Sequence, residues 1–153
     1  DDHKPVGILG DFGIAILLDK AHSIPGAAGR YLYFAPECFM GIYLPASDVF
    51  SAGCVLYKML TGSLPWQYDL VHSTLDDKEE ISYMINSARR EKVKKPSLSN
   101  SDIDEKLEKV IMKSIEKKME NRYRTAGSFL KALENANKTE DPSGGYWKEQ
   151  DLY

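Results

Sequence analysis

The segment from Ala46 to Thr61 is the most apolar stretch long enough to form a helix. Its apolar positions leave almost no polar face; they are Val49, Phe50, Ala52, Val55, Leu56, Met59 and Leu60. Ser47 or Asp48 can cap the start of this helix, and Gly62 stands where a helix commonly ends. Because a helix that is apolar on all sides must be covered, we expect other helices to surround it.

Two later segments show the 3.6-residue period of amphipathic helices. The first opens at Ser101-Asp102, and its apolar residues follow at helical spacing: Ile103, Leu107, Val110, Ile111 and Ile115. Thr125 can cap the second, whose apolar residues are Phe129, Leu130, Leu133 and Ala136. A further helix is predicted over about residues 78–93, with a loop at Pro96–Asn100 after it.

The N-terminal region has the pattern of short strands. Apolar runs at residues 6–9 and 14–18 flank Gly10-Asp-Phe-Gly13, which predicts two small strands and a tight turn. Residues 19–30 are polar, contain Gly and Pro, and are typical of a long loop. The chain is therefore predicted to be mainly α, with a short β segment at its N-terminus.

Composition narrows the class of protein. The 153 residues include 20 Lys and Arg against 23 Asp and Glu, so no strongly basic surface predicts a nucleic-acid partner. No apolar run approaches the roughly 18–20 residues of a membrane span, and the N-terminus lacks the order of a signal peptide. Because no targeting signal is visible, we expect a cytoplasmic location. Cys38 and Cys54 form no C-x-x-C motif, which favours a reducing compartment.

The charge is distributed unevenly along the chain. Residues 89–124 carry 12 basic and 7 acidic residues, whereas the rest of the chain carries 8 basic and 16 acidic ones. Because the basic stretch coincides with amphipathic helical segments, we interpret it as a solvated surface. A dedicated anion site is the alternative.

Four short motifs occur in a fixed order along the chain. They are Asp11-Phe12-Gly13, Ala35-Pro36-Glu37, Ser47-Asp48 with Gly53 five residues on, and Glu120-Asn121-Arg122-Tyr-Arg-Thr-Ala126. As an ordered set they resemble the C-terminal lobe of eukaryotic-type Ser/Thr protein kinases, in a form close to the bacterial enzymes. The resemblance implies a partial kinase domain over residues 1–137, followed by a tail, 138–153, that we expect to be loosely ordered.

The resemblance implies a cofactor site at Asp11, Phe12 and Gly13. In the family this aspartate binds the Mg²⁺ that bridges the phosphates of ATP, and carboxylate oxygens suit that hard cation. Phe12 packs beneath a helix of the small lobe, and Gly13 supplies the backbone freedom for its two positions. The parent enzyme is therefore expected to use ATP and magnesium.

The resemblance also implies structural roles for three residues. Glu37 is expected to form a buried ion pair with Arg122, since the planar guanidinium matches a carboxylate with two parallel hydrogen bonds. Asp48 is expected to cap the apolar helix and to hydrogen-bond the backbone of the catalytic loop. Cys54, on that helix, is expected to be a core residue.

The substrate loop departs from the family pattern. Gly29, Arg30 and Tyr33 fall in it, but Ser/Thr kinases usually have Thr where this chain has Arg30, which puts Ser/Thr specificity and the activity of the parent in doubt. Ser23 is the only Ser or Thr between Asp11 and Glu37 and is therefore the one candidate for activation-loop phosphorylation on such a residue. An ordinary loop serine is the alternative interpretation.

Several catalytic parts of the family are missing from these 153 residues. There is no Gly-x-Gly-x-x-Gly loop, no lysine-bearing strand and no H-R-D catalytic loop. Since phosphoryl transfer depends on positioning by all these parts, the chain alone is predicted to be inactive. The leading hypothesis is part of a Ser/Thr kinase that phosphorylates protein hydroxyls and is completed by an N-lobe and catalytic loop.

Two other hypotheses stay open. In the first, the chain is a degenerate kinase-like module that binds a protein through the activation segment and helix 78–93. In the second, it is an unrelated helical interaction domain.

In kinases, the apolar central helix packs against a preceding helix and the catalytic loop. Without them, Val49 and Phe50 should be partly uncovered, and an exposed apolar patch favours association, so we expect marginal solubility.

Overall fold

The computed structural model describes residues 28–67, 83 and 85–137, and for residues 28–30 the backbone alone. Within these residues the protein is mainly helical and contains no strand. Three α-helices form its framework: α1 is Pro45–Thr61, α2 is Glu105–Ser114 and α3 is Ala126–Asn137. The strands predicted at residues 6–9 and 14–18 and the tail 138–153 lie outside the described residues.

Short 3-10 helices precede and connect the three α-helices. Their bounds are Ala28–Tyr33, Pro36–Met40, Pro96–Leu98 and Met119–Asn121. The helix predicted over 78–93 is too long at its C-terminal end, because residues 85–88 are helical and 89–90 form a turn. The loop predicted at Pro96–Asn100 begins with a helical turn because Pro favours the first helical position.

Helix α1 begins one residue before the predicted start. Pro45 occupies its first turn, and Ser47 lies inside that turn, where its hydroxyl accepts the N–H of Leu44 at 3.2 Å. Neither Ser47 nor Asp48 is therefore the N-cap residue. The predicted end is confirmed: Gly62 adopts a left-handed φ of 76°, and its N–H donates to the Lys58 carbonyl at 2.8 Å.

Burial covers one face of α1 and leaves another open. Val49, Phe50, Cys54 and Tyr57 are at most 2 % exposed, so the expectation that Val49 and Phe50 would be uncovered is wrong. The uncovered positions are Ala52, Val55 and Met59, and Met59 is 77 % exposed. The sequence pattern placed Val49, Phe50, Ala52, Val55 and Met59 in one apolar set and did not distinguish the two faces.

The predicted start of α3 is confirmed, whereas the predicted start of α2 is wrong. Asp104 rather than Ser101-Asp102 caps α2, and its carboxylate accepts the N–H of Leu107 at 2.7 Å. Thr125 caps α3 as predicted, since its hydroxyl oxygen accepts the N–H of Ser128 at 3.1 Å. In the first apolar stripe, Ile103, Val110, Ile111 and Ile115 are buried and Leu107 is half-buried, whereas Leu130 of α3 is 55 % exposed.

Helix α1 packs closely against the C-terminal end of α2 at Gly53. A Cβ atom at Gly53 would lie 2.1 Å from Ser114 Oγ and 2.9 Å from Ser114 Cβ. Such separations are far inside normal contact distance, so the residue at position 53 must lack a side chain for the two helices to approach this closely.

We expect Gly53→Ala to lower the free energy of unfolding by about 1–3 kcal/mol, because overpacking a dense core forces the helices apart. Gly127→Ala is the matched control, since Gly127 is also helical but its nearest such neighbour is 3.9 Å away. The control should be neutral or slightly stabilising. Urea unfolding followed by circular dichroism measures both, and an equal effect of the two substitutions would contradict this packing.

Candidate functional site

The segment that precedes α1 folds against it through an aromatic cluster. Tyr31, Phe34 and Phe39 have ring centroids 5.2–6.0 Å apart, and Tyr31 shares a small buried core with Ile85. Hydrogen bonds fix its backbone: Ser51 donates to the Tyr33 carbonyl at 2.8 Å and Arg89 to the Leu32 carbonyl at 3.0 Å. The backbone around the predicted substrate loop is therefore held by α1 and by the turn at Arg89.

A buried ion pair lies at the base of this segment. Arg122 donates from Nη1 to Glu37 Oε1 at 2.7 Å and from Nη2 to Glu37 Oε2 at 2.9 Å. The side chains are 0 % and 6 % exposed. Ser47 Oγ donates a third hydrogen bond to Glu37 Oε1 at 2.7 Å. The structure thus places Glu37 and Arg122 in the bidentate arrangement that the kinase resemblance implies.

The remaining donors of Arg122 fix the chain before α3. Its Nε donates to the Glu116 carbonyl at 2.5 Å, and Nη2 also donates to the Lys117 carbonyl at 2.9 Å. Nη1 lies 3.3 Å from the Ala46 carbonyl at the start of α1. One guanidinium therefore connects three separate segments, and its burial is compensated by hydrogen bonds on every side.

The acidity of Glu37 follows from this environment. Burial raises the pKa of the Glu37 carboxyl, but the hydrogen bonds from Arg122 and Ser47 together with the positive charge of Arg122 outweigh it. The pKa of Glu37 therefore lies below its ordinary value of 4.5. The carboxylate is the stable form in the folded protein at neutral pH.

A second buried arginine, which the sequence analysis did not identify, lies near the first. Arg89 is 3 % exposed, and its guanidinium carbon lies 5.0 Å from the ring centre of Phe50 and 5.4 Å from that of Trp66. The guanidinium carbon of Arg122 lies 4.7 Å from the same Phe50 ring. Phe50 thus contacts two cations, which aromatic rings attract. Nothing in the charge pattern of residues 89–124 distinguishes Arg89 from its exposed neighbours.

Of the other predicted site residues, the structure describes only Asp48, Gly29, Arg30 and Tyr33. Asp48 is exposed in the first turn of α1, and no hydrogen bond joins its carboxylate to any residue that the structure describes. Gly29 and Arg30 lie in the 3-10 helix Ala28–Tyr33. The hydroxyl of Tyr33 accepts a hydrogen bond from Lys58 at 3.4 Å. Asp11, Phe12, Gly13 and Ser23 lie outside the described residues.

Both cysteines are buried free thiols. Desolvation raises the pKa of Cys54 to about 12, and it raises the pKa of Cys38 as well. Neither is therefore a thiolate at neutral pH, which agrees with a core role for Cys54.

In the described part of the chain, no group of three His, Cys, Asp or Glu side chains lies together as a metal-ligand set. No helix in this part is long and apolar enough to cross a membrane.

Comparison with known proteins identifies the family. The model of the protein kinase domain matches residues 2–133. The Ser/Thr protein kinase PknB of Mycobacterium tuberculosis (strain H37Rv) is 34 % identical over 137 residues, which cover 86 % of this chain and 20 % of that protein. A probable Ser/Thr protein kinase of Clostridium perfringens, CPE1738, is 34 % identical over 139 residues, which are 87 % of this chain and 18 % of that protein.

A plant relative extends the likeness beyond bacteria. The Ser/Thr protein kinase PEPKR2 of Arabidopsis thaliana is 35 % identical over 89 residues, or 58 % of this chain and 19 % of that protein. The chain therefore belongs to the protein kinase domain family, and its helical structure agrees with the C-terminal lobe. It spans about a fifth of the length of these relatives.

Removing the guanidinium of Arg122 should leave the buried Glu37 carboxylate unpaired and destabilise the fold. We expect Arg122→Met to lower the free energy of unfolding by about 3–5 kcal/mol, because Glu37 then loses its partner while remaining buried. Arg124→Met is the matched control, since Arg124 is exposed two residues later. Urea unfolding measures both. A loss at position 122 no larger than that at position 124 would contradict the structural role of the pair.

Acid should weaken the Glu37–Arg122 pair by protonating Glu37. The pKa of Glu37 is lower in the folded protein than its ordinary value of 4.5. The carboxylate therefore stabilises the fold at pH values above about 4.5, and this stabilisation is lost as the pH falls through the pKa of the folded protein. Glu37→Gln should therefore be less stable at pH 7 and lose less of its remaining stability between pH 5 and about 2. Thermal unfolding across this range, with Glu105→Gln at an exposed ion pair as the control, measures the slope. Identical slopes for all three chains would refute the assignment.

Proposed function

We propose that this chain is part of a Ser/Thr protein kinase that transfers the γ-phosphoryl group of ATP to protein hydroxyl groups. The observation that carries this proposal is the buried Glu37–Arg122 pair, which holds the segment from residue 28 to residue 44 against the helical lobe. This segment contains the substrate loop of the resemblance, Gly29, Arg30 and Tyr33. The kinase names of the relatives support the same class of reaction.

The cofactor chemistry of the proposal is assigned to Asp11, Phe12 and Gly13. Asp11 would hold a Mg²⁺ ion, because a carboxylate is a suitable ligand for a hard cation, and the bound magnesium–ATP would supply the phosphoryl group. Phe12 and Gly13 would set whether Asp11 is in position. Ser23 is the candidate phosphorylation site that would order the segment.

The 153 residues are proposed to be inactive by themselves. They contain no phosphate-binding glycine loop, no lysine-bearing strand and no H-R-D loop, and positioning by these parts supplies most of the rate in phosphoryl transfer. The uncovered face of α1, at Ala52, Val55 and Met59, fits a contact with the remaining parts of a kinase domain, because exposed apolar patches usually mark an interface. Asp48 stands at the N-terminal end of this face.

A second candidate function is favoured by Arg30. Ser/Thr kinases usually carry Thr at this position, so the parent is alternatively a kinase-like module that binds a protein and transfers nothing. In that case the docking surface would be the activation segment together with the helix at about 78–93. Magnesium-dependent transfer by the natural protein distinguishes the two candidates.

We expect the natural protein, captured from its own cells with an antibody against residues 138–153, to exceed the 17.2 kDa of this chain and to contain a catalytic loop. It should phosphorylate a protein substrate such as myelin basic protein with ATP and Mg²⁺. Asp11→Asn should reduce that rate at least about a hundredfold, since the metal contributes several kcal/mol of transition-state stabilisation.

The matched control is Glu120→Gln, an exposed change that should leave the rate unaltered. A natural protein of 17.2 kDa would contradict the kinase proposal. Transfer that survives Asp11→Asn would contradict the metal role. A larger protein with no transfer would favour the binding module.

A further inference from the structure

Two side chains from outside the segment before α1 donate hydrogen bonds to successive carbonyls of its backbone. Arg89 Nη2 donates to the Leu32 carbonyl at 3.0 Å, and Ser51 Oγ donates to the Tyr33 carbonyl at 2.8 Å. The donors lie 57 and 18 residues further along the chain. Because these bonds go to main-chain oxygens, the two donors hold the backbone itself, whichever side chains it carries.

The side chains on this backbone stay partly accessible. Leu32, Tyr33 and Phe34 are half-buried, whereas Tyr31 before them and Ala35 after them are buried. The Phe34 N–H also donates to the Tyr31 carbonyl at 3.1 Å, which closes a turn within the segment. A fixed backbone thus presents three large, mostly apolar side chains to the surface. Such a surface loses less conformational entropy when it binds a partner, because it is already ordered.

The surroundings of Arg89 favour a positioning role over a purely stabilising one. Arg89 is 3 % exposed, and its guanidinium carbon lies 5.0 Å from the ring centre of Phe50, 5.4 Å from that of Trp66 and 6.0 Å from that of Phe39. These rings attract the cation and replace part of its lost hydration. An apolar side chain of similar volume would often stabilise such a core at least as well. Only a long side chain with several donors, however, can fill this site and also bond a distant carbonyl.

We propose that Arg89, together with Ser51, is a positioning residue for the protein substrate. By bonding the Leu32 and Tyr33 carbonyls, the two side chains keep the loop in the conformation that binds this substrate. The inference rests on the proposed function, since the loop contacts a protein substrate only if the parent is a kinase. Loosening the loop should weaken binding of the protein and spare that of ATP, because the ATP site is assigned to other residues, 11–13.

Steady-state kinetics of the natural, full-length protein with myelin basic protein and ATP tests this role. Arg89→Met and Ser51→Ala should each raise the KM for myelin basic protein about fivefold, the factor that corresponds to one lost hydrogen bond. The kcat and the KM for ATP should stay within about twofold of the unaltered protein, because the lost interaction contributes equally to the ground state and the transition state. Arg89→Lys keeps a charged donor and should recover part of the affinity.

Two matched controls accompany these variants. Gly53→Ala disturbs the packing of α1 on Ser114 and Ile115 and makes no change to the loop, so it should lower stability without raising the KM for the protein substrate. Arg90→Met removes the neighbouring arginine, which is exposed, and should leave both stability and KM unaltered.

Hydrogen exchange of the same proteins measures the loop without any need for phosphoryl transfer. Mass spectrometry of peptides that cover residues 31–35 should show exchange severalfold faster in Arg89→Met and in Ser51→Ala than in the unaltered protein, because the backbone there opens more often. Arg90→Met should leave the exchange unchanged. If Arg89→Met fails to fold, Ser51→Ala, which removes a single hydroxyl group, decides the outcome.

Four results would overturn the proposal. Unchanged exchange at residues 31–35 would show that the two donors do not hold the loop. Faster exchange with an unchanged KM for myelin basic protein would separate loop order from substrate binding. An equal rise in KM in Gly53→Ala would reduce the effect to general stability. A natural protein that transfers no phosphate would refute the proposed function and the substrate role with it, and exchange alone would then report whether the two donors hold the backbone.

Discussion

The bidentate ion pair between Glu37 and Arg122 is the contact on which the described part of the protein depends. Arg122 also donates to the carbonyls of Glu116, Lys117 and Ala46, so one buried guanidinium joins the segment before α1, the start of α1 and the chain before α3. A buried charge is costly unless it is paired and hydrogen-bonded. These segments are therefore constrained together, and the segment before α1 is held in place by the same contacts.

Phe50 connects this pair to the rest of the core. Its ring lies 4.7 Å from the guanidinium of Arg122 and 5.0 Å from that of Arg89, and it stacks on Trp66 at 6.0 Å. Two cations and two aromatic rings thus share one buried region, where the rings replace part of the lost hydration of the arginines. The close approach at Gly53 fixes α2 one turn further along α1. Ion pair, aromatic packing and helix contact therefore support one another.

Sequence reasoning predicted the parts of this structure that depend on local pattern or on family motifs. Local signals gave the end of α1 at Gly62, the Thr125 cap and the buried stripe of α2, and the motif resemblance paired Glu37 with Arg122. Properties that depend on tertiary packing were not predictable: which face of α1 is covered, the burial of Arg89, and the need for glycine at position 53. The start of α2 was misplaced because three polar residues, Ser101, Asp102 and Asp104, are all capable caps.

A double-mutant cycle on Glu37 and Arg122 tests most directly whether this pair holds the lobe together. Unfolding free energies of Glu37→Gln, Arg122→Met and the double variant, compared with the unaltered chain, isolate the energy of the pair. The account predicts that the double variant is less destabilised than the two single changes added together, by at least about 1 kcal/mol, because each single change leaves a buried partner unmatched. Simple additivity of the two changes would contradict it.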